Sequence, residues 1–283
     1  QDGVYTVALR VTDNDGLTDT DESTVTVNNV APSVAAGSDS PQDENTVITV
    51  TATVTDPGWL DVLSATIDWG DGTAVEPMSS ISFENLRPDA VYTFSATHIY
   101  GDNGVFTAQV CGFDDDTSTC VTLDLTILNV APTVAIDLTD IVEGCAADAF
   151  IADAGDDVTF TGHATDPGSD DLELRWGWGD GTPATVTGSL VNPPASDPLP
   201  SPSIQPRDIT DIQAHAYAAA CLYEITFSAL DDDGGSDADM TDVVIVGNAE
   251  QIRSAGYWRH NFRQKGRVFF TEDELICFLD MVT

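Results

Sequence analysis

With 283 residues and 42% apolar side chains, the chain is long enough for two or three domains, each with a core of its own, and too apolar to be disordered. Its formal net charge of −39 excludes nucleic acid as a partner, because phosphate binding requires clustered Lys and Arg. No apolar run approaches the ~20 residues of a membrane-spanning helix.

The first segment, GVYTVALRVTDNDG at 3–16, alternates with Tyr5, Val7, Leu9 and Val11 on one face. After an Asp/Gly turn, STVTV at 23–27 alternates again, so the pair reads as a hairpin with one buried face. Residues 1–31 hold only this hairpin, a partial module. The simplest origin of the strands it lacks is a longer parent chain; the alternative is completion by a neighbour through strand addition.

NNVAPSV at 28–34 then leads into a full module at 32–131. It contains an alternating strand ending in DPG at 56–58, a second strand ending in WGDGT at 69–73, and a hairpin at 103–128. Cys111 and Cys120 flank the turn of that hairpin on the parity opposite to Phe106, Val110, Val121, Leu123 and Leu125. Both thiols should therefore face outward, opposite one another, as a cross-strand disulfide.

The junction returns as LNVAPTV at 128–134, and Asn29 and Asn129 lie 100 residues apart, a period that signals tandem domains. The next module, 132–249, repeats DPG at 166–168, WGDGT at 178–182 and the hairpin at 223–246. It carries an insertion over 183–214, in which residues 192–206 hold six of the chain's 14 prolines, and this predicts a surface loop. Cys145 and Cys221 belong to this module and are expected to form a second bridge, with Cys277 left over. Disulfides place the chain in an oxidising, extracellular or cell-surface setting.

Residues 250–283 break the pattern. Arg253, Arg259, Arg263, Lys265 and Arg267 are five of only nine basic residues, so a short cationic segment follows a strongly anionic body. Thr271 and Glu274 form a capping box, and Leu275, Phe278, Leu279 and Val282 share one face of a predicted amphipathic helix. The fold class is all-β, tandem sandwiches with a short α-helical C-terminal segment.

The DPG and WGDGT pairs resemble the PKD domain, the repeat of polycystic kidney disease protein. HIYGDNGVF at 98–106, AHAY at 214–217 and the DNDG, DDDT and DDDGG turns extend the resemblance over roughly residues 1–249. It implies immunoglobulin-like sandwiches of the kind found in large secreted and surface proteins, and in spacer regions of secreted proteases, chitinases and collagenases. The last module departs from the pattern by its Pro-rich insertion and by AAAC at 218–221, where a Gly-containing turn is usual.

WGDGT has a structural explanation. Trp69 and Trp178 pack inward, while Asp71 and Asp180 accept backbone hydrogen bonds in a tight turn. His98 and His215 each stand two residues before a Tyr, a recurrence that reads as architectural. No Ser/His/Asp, Cys/His or HExxH arrangement stands out, so the chain is not expected to be an enzyme.

Acid is carried as 38 Asp against 10 Glu, and Asp-rich turns suit both local backbone bonding and hard cations. The resemblance implies calcium between the DPG turn and the acidic hairpin turn, and no other cofactor. The ligand candidates are Asp56, Asp114 and Asp116 in one module, Asp166, Asp231 and Asp233 in the next, and Asp13 and Asp15 in the partial one. Glu44 and Glu143, near the start of each full module, are candidates for a further oxygen.

The function expected is a structural or adhesive extracellular array forming a rigid rod, its short Pro-containing junctions limiting bending. Its partners are then other copies of itself or other surface proteins, with head-to-tail assembly through the cationic segment. The alternative is an accessory spacer or substrate-binding region of a secreted hydrolase, contacting polysaccharide or collagen-like material. Trp59 is its candidate contact, but Ser169 stands at the counterpart position and no aromatic platform recurs.

Overall fold

The computed structural model describes residues 2–86, 89–138, 149–191 and 204–246. All regular structure among them is β. The predicted C-terminal helix, the basic residues from Arg253 to Arg267, Cys145, Glu143 and Cys277 lie outside the described residues. No helix among the described residues is long and apolar enough to cross a membrane.

Strands β1 (Gly3–Thr12) and β2 (Thr18–Val27) form a two-stranded hairpin in continuous register, Gly3 opposite Val27 and Thr12 opposite Thr18. There follow β3 (Ser33–Ser38), β4 (Gln42–Asp43), β5 (Val47–Asp56), β6 (Ser64–Asp68) and β7 (Glu76–Pro77). Then come β8 (Ser79–Leu86), β9 (Asp89–Ile99), β10 (Gly104–Phe113) and β11 (Ser118–Leu128). They build two sheets, ordered β3-β5-β9-β8 and β4-β11-β10-β6-β7.

The period-2 pattern explains why the sheets face each other. Ile48, Val50, Ala52 and Val54 alternate on β5 and point at Ala65 and Ile67 of β6, Phe106, Ala108 and Val110 of β10, and Leu125 and Ile127 of β11, all buried in one core.

The second sandwich uses β12 (Thr133–Ile136), β13 (Ala149–Asp153), β14 (Asp157–Asp166), β15 (Leu172–Gly177), β16 (Thr185–Ser189), β17 (Arg207–Ala216), β18 (Cys221–Leu230) and β19 (Ser236–Val246). Its sheets are ordered β12-β14-β17 and β13-β19-β18-β15-β16. Phe160 and Ala164 of β14 meet Leu174, Trp176, Ile225, Phe227 and Val243 in a separate core. The chain parts into two compact units between Leu128 and Asn129.

One expectation changes: the stretch 183–214 is not all insertion. Residues 185–189 pair with β15, and β17 pairs along its whole length with β14, as β9 pairs with β5. Proline density hid the strands on either side of residues 192–203, which lie outside the described residues. Cys221 is exposed with a free thiol, and its predicted partner Cys145 lies outside the described residues. The other pair behaves as the alternation requires: Cys111 and Cys120 are register partners, disulfide-bonded, with Cα atoms 4.0 Å apart.

The strand after the first core ends in a turn that depends on glycine for two different reasons. Gly70 has φ +78° and lies so close to β10 that a Cβ would collide with the Thr107 carbonyl oxygen; Gly72 has φ +85° but open space around it. Gly70→Ala is expected to cost about 2–4 kcal/mol and Gly72→Ala about 1 kcal/mol, since only the first adds a backbone clash to left-handed strain. Urea denaturation of the two variants checks the order; equal losses would count against it.

Candidate functional site

Each sandwich has an acidic end in which the linker and the hairpin turn bond in the same way, although among the described residues three loop and turn carboxylates gather within 4.8 Å only in the second. In the first, the β10–β11 turn begins with Asp114. Its Oδ1 accepts from Asp116 N at 2.8 Å and Thr117 N at 2.5 Å, a local Asx turn. Its Oδ2 accepts from Asn29 Nδ2 of the preceding linker at 3.0 Å.

In the second sandwich, Asp231 Oδ1 accepts from Asp233 N at 3.1 Å and Gly235 N at 2.6 Å, and Oδ2 from Asn129 Nδ2 at 3.0 Å. The repeated linker asparagine is therefore a clamp onto the first aspartate of the acidic turn. Its signal, the recurrence of Asn29 and Asn129 at the module spacing, was present in the sequence.

Opposite each turn stands the DPG loop. Asp56 Oδ1 accepts from Gly58 N at 2.5 Å and Asp166 Oδ1 from Gly168 N at 2.7 Å. Their other oxygens, and Asp61 Oδ1, are buried and accept no hydrogen bond. Carboxylate oxygens of Asp166, Asp170 and Asp231, all buried residues, lie within 4.8 Å of one another, and those of Asp170, Asp232 and Asp233 form an adjoining group. The loop is pinned from both sides, by Asp171 N donating to Asp232 Oδ1 at 3.2 Å and by Gln205 N donating to Ser169 Oγ at 2.8 Å.

Burial and crowding of like charge set the electrostatics. Asp166 is pushed up to about 6, by burial first, against the Gly168 amide, with Asp231 adding repulsion. Burial likewise raises Asp56, with Asp114 adding to it, and raises Asp61, with Asp115 and Asp56 adding to it. Asp114 moves the other way: burial opposes its charge, but the Asn29, Thr117 and Asp116 donors outweigh it.

Of the ligand candidates, Asp56 and Asp114 are electrostatic neighbours, and Asp166 and Asp231 share one cluster. Asp233 belongs to the adjoining group. Asp116 is exposed and gathers with Asp2 and Asp115 instead. Glu44 stands apart from Asp56 and Asp114, and its buried carboxylate lies within 4.8 Å of that of Asp102 instead. Its amide bonds Leu128 O at the end of β11 opposite to the Asp114 turn. Asp13 and Asp15 form a solvated turn, Asp13 Oδ1 accepting from Asp15 N and Leu17 N, and belong to no carboxylate group among the described residues. Asp61 and Asp170 were missed: they follow the Asp of DPG at unequal spacings, although each stands eight residues before the Trp of WGDGT, and that recurrence was the signal in the sequence.

WGDGT makes a second recurring constellation. Asp71 Oδ2 meets His98 Nε2 at 2.7 Å, and the imidazole stacks on Trp69 at 4.8 Å. Asp180 Oδ2 meets His215 Nε2 at 2.9 Å, with His215 stacked on Trp178 at 4.5 Å. Thr73 and Thr182 each bond the same aspartate through both amide and hydroxyl. Burial opposes the charge on Asp180, yet the Thr182 hydroxyl, His215 and the Thr182 amide together bring it down to about 2. Asp71 is lowered by the same kinds of partner acting against burial. The unit locks the turn of one sheet to β9 or β17 of the other.

No family model matches the chain, and no curated protein matches it. Among solved structures, it is similar to the PKD domain of an M14-like peptidase from a Thermoplasmatales archaeon, at 16% identity and TM-score 0.27, over 42% of this chain and 98% of that one. It is also similar to red sea bream transglutaminase, at 10% identity and TM-score 0.27. An endo-fucoidan hydrolase of glycoside hydrolase family 107 gives 12% identity and TM-score 0.27. The chain spans 31% and 34% of the length of these last two proteins.

The two kinds of aspartate have opposite linkage. Asp180, held near 2 against 3.8 when free, contributes stability that is present above pH 3.8 and lost as pH falls through about 2. Asp166, raised to about 6, contributes stability that is full below pH 3.8 and lost as pH rises through about 6. In chelator at pH 7.5, Asp180→Asn is therefore expected to lower the melting midpoint and Asp166→Asn to raise it by a few degrees. At pH 3.5 the Asp166→Asn effect should vanish. Calorimetry reads both, and a destabilised Asp166→Asn protein at pH 7.5 would contradict this account.

Proposed function

We propose that the chain is an extracellular array of PKD-like sandwiches that acts as a structural spacer, with calcium bridging the DPG loop and the acidic turn at the linker end of each complete module. The observation that carries this reading is the pair of acidic ends, in which buried carboxylate oxygens of Asp56, Asp61 and Asp166 lack donors. A hard cation supplies what those atoms lack, and an all-oxygen donor set without Cys or His suits calcium or magnesium rather than zinc.

In the second sandwich Asp166, Asp170 and Asp231 would hold the ion; in the first, Asp56, Asp61 and Asp114. The Asn29 and Asn129 clamps tie the entering linker to a ligand-bearing turn, so cation binding would stiffen the joint between linker and module. The outward-facing Cys111–Cys120 bond supports an oxidising compartment. The recurrence of Trp, His and Asp in both modules, each group sealed by stacking and Thr bonds, supports a structural role for the His–Asp pairs over a catalytic one.

Protons and calcium compete for the same oxygens. Adding about 1 mM calcium at pH 7.5 is expected to raise the melting midpoint by about 5 °C over chelator, for sites of extracellular-module affinity. The gain should shrink at pH 5, where Asp166 is protonated, and be lost from the second sandwich in Asp166→Asn. Differential scanning calorimetry with and without chelator tests it; an unchanged midpoint at pH 7.5 sinks the calcium reading.

A further inference from the structure

The β1–β2 hairpin presents a continuous apolar face to solvent. Val7, Leu9, Val11, Val25 and Val27 are 43–67% exposed. Their counterparts in the complete modules are core. Val7 is opposite Ser23 as Ala108 is opposite Leu123, which equates Val7, Leu9 and Val11 with Ala108, Val110 and Gly112, and Val25 and Val27 with Leu125 and Ile127. Ala108, Val110 and Leu125 are 0% exposed, covered by the sheet that contains β5. In the other sandwich the same positions are Ile225, Phe227 and Ala229, covered by β14.

The two finished cores show a size rule across the sheets. Phe227 is accommodated because Gly162 lies beneath it, where a Cβ would come within 2.6 Å of the ring. Gly112 is small because Val34 and Val54 approach it, at 2.7 and 2.8 Å from a Cβ placed there; where Ala164 replaces Val54, its partner position is Ala229. The hairpin carries Leu9 and Val11 at these two positions. Leu9 lies between Val110 and Phe227 in size and so needs Ala or Gly beneath it, as at Ala52 and Gly162, while Val11 is larger than Gly112 or Ala229 and needs a residue smaller than Val54 against it.

We propose that this face is half of a sandwich core and that its partner is an antiparallel sheet of the same module type, with Ala or Gly at the two central-strand positions that face Leu9 and Val11. A second copy of the hairpin fits less well. Asp21 lies on the same face, opposite Leu9, so self-pairing would bury like charges against each other. Two ten-residue strands also offer a face of only about 350 Å², roughly 700 Å² in a pair, below the ~1,200 Å² of stable dimers.

The test places residues 32–103, carrying Val34→Ala and Val54→Ala, directly before Gly3 in the full chain. The graft then meets the hairpin as it precedes Gly104 in its own module. Amide exchange of β1 and β2 is expected to slow by at least ~100-fold, and binding of an apolar dye to fall. The same graft with Val34 and Val54 retained should protect less, and one with Ala52→Asp not at all. The melting transitions of the two complete modules, which must persist in every variant, report that the rest of the chain is intact. A Val54→Ala graft that leaves β1–β2 exchanging as in the parent overturns the proposal. So does a parent chain that sediments as a dimer with these amides already protected, which would make the partner a second copy.

Discussion

Both acidic ends depend on one hydrogen bond, from the linker asparagine to the first aspartate of the hairpin turn. The turn amides occupy Oδ1 of Asp114 or Asp231, and the asparagine occupies Oδ2. A carboxylate held by donors on both oxygens cannot rotate away from the like charges beside it. Asp56 and Asp166 are buried beside this fixed negative group, and burial first, with its charge adding, raises their protonation. The same bond decides where the linker enters the sandwich, so the geometry of the joint and the electrostatics of the acidic end are set together.

At the other recurring constellation the constraint is distance between backbones. Gly70 and Gly179 let the WGDG turn lie against the Thr107 and Glu224 carbonyls, and this approach brings Asp71 and Asp180 to the histidines of the opposite sheet. Once the two sheets are fixed there, core residues can change size in compensating pairs. Val110 over Ala52 becomes Phe227 over Gly162, and Gly112 under Val54 becomes Ala229 with Ala164. The modules therefore keep one architecture while most of their core residues differ.

Those pairs also explain what the sequence could and could not convey. Strand faces were legible because burial imposes period 2: Ile48 to Val54 and Phe106 to Val110 alternate without a break, and Tyr5 to Val11 carry the same alternation although the face expected to be buried there is exposed. Cys111 and Cys120 followed from the same parity. The acidic site was half legible. Asp56, Asp114, Asp166 and Asp231 sit in turns whose motifs repeat, whereas Asp61 and Asp170 recur only when counted back from the Trp of WGDGT, because the loop after DPG differs in length by one residue between the modules. Asp116 shares the turn of Asp114 but is exposed, and Glu44 lies at the other end of β11, where its carboxylate meets that of Asp102, since position along a strand is a matter of tertiary register that repetition alone does not encode. Strands β16 and β17 were obscured by neighbouring prolines, because composition averaged over a window cannot separate a loop from the pairing strands that flank it.

The charge ties these parts together. At −39 the chain repels itself in any compact form, and burying carboxylates at the mouth of each sandwich adds to that cost. Solvated aspartates such as Asp13 and Asp15 contribute little to it, because water and salt screen them. Asp166 and Asp56 are buried, Arg207 offsets only part of the burden on Asp166, and protonation or a bound cation relieves both. A module built in this way is less stable as a bare polyanion at neutral pH than with its acids neutralised, which is a disadvantage where divalent ions are scarce and none where they are abundant. On the proposed reading, the acidic composition that excluded nucleic acid at the outset also favours a medium in which calcium stands at about 1 mM, the range to which extracellular modules are tuned.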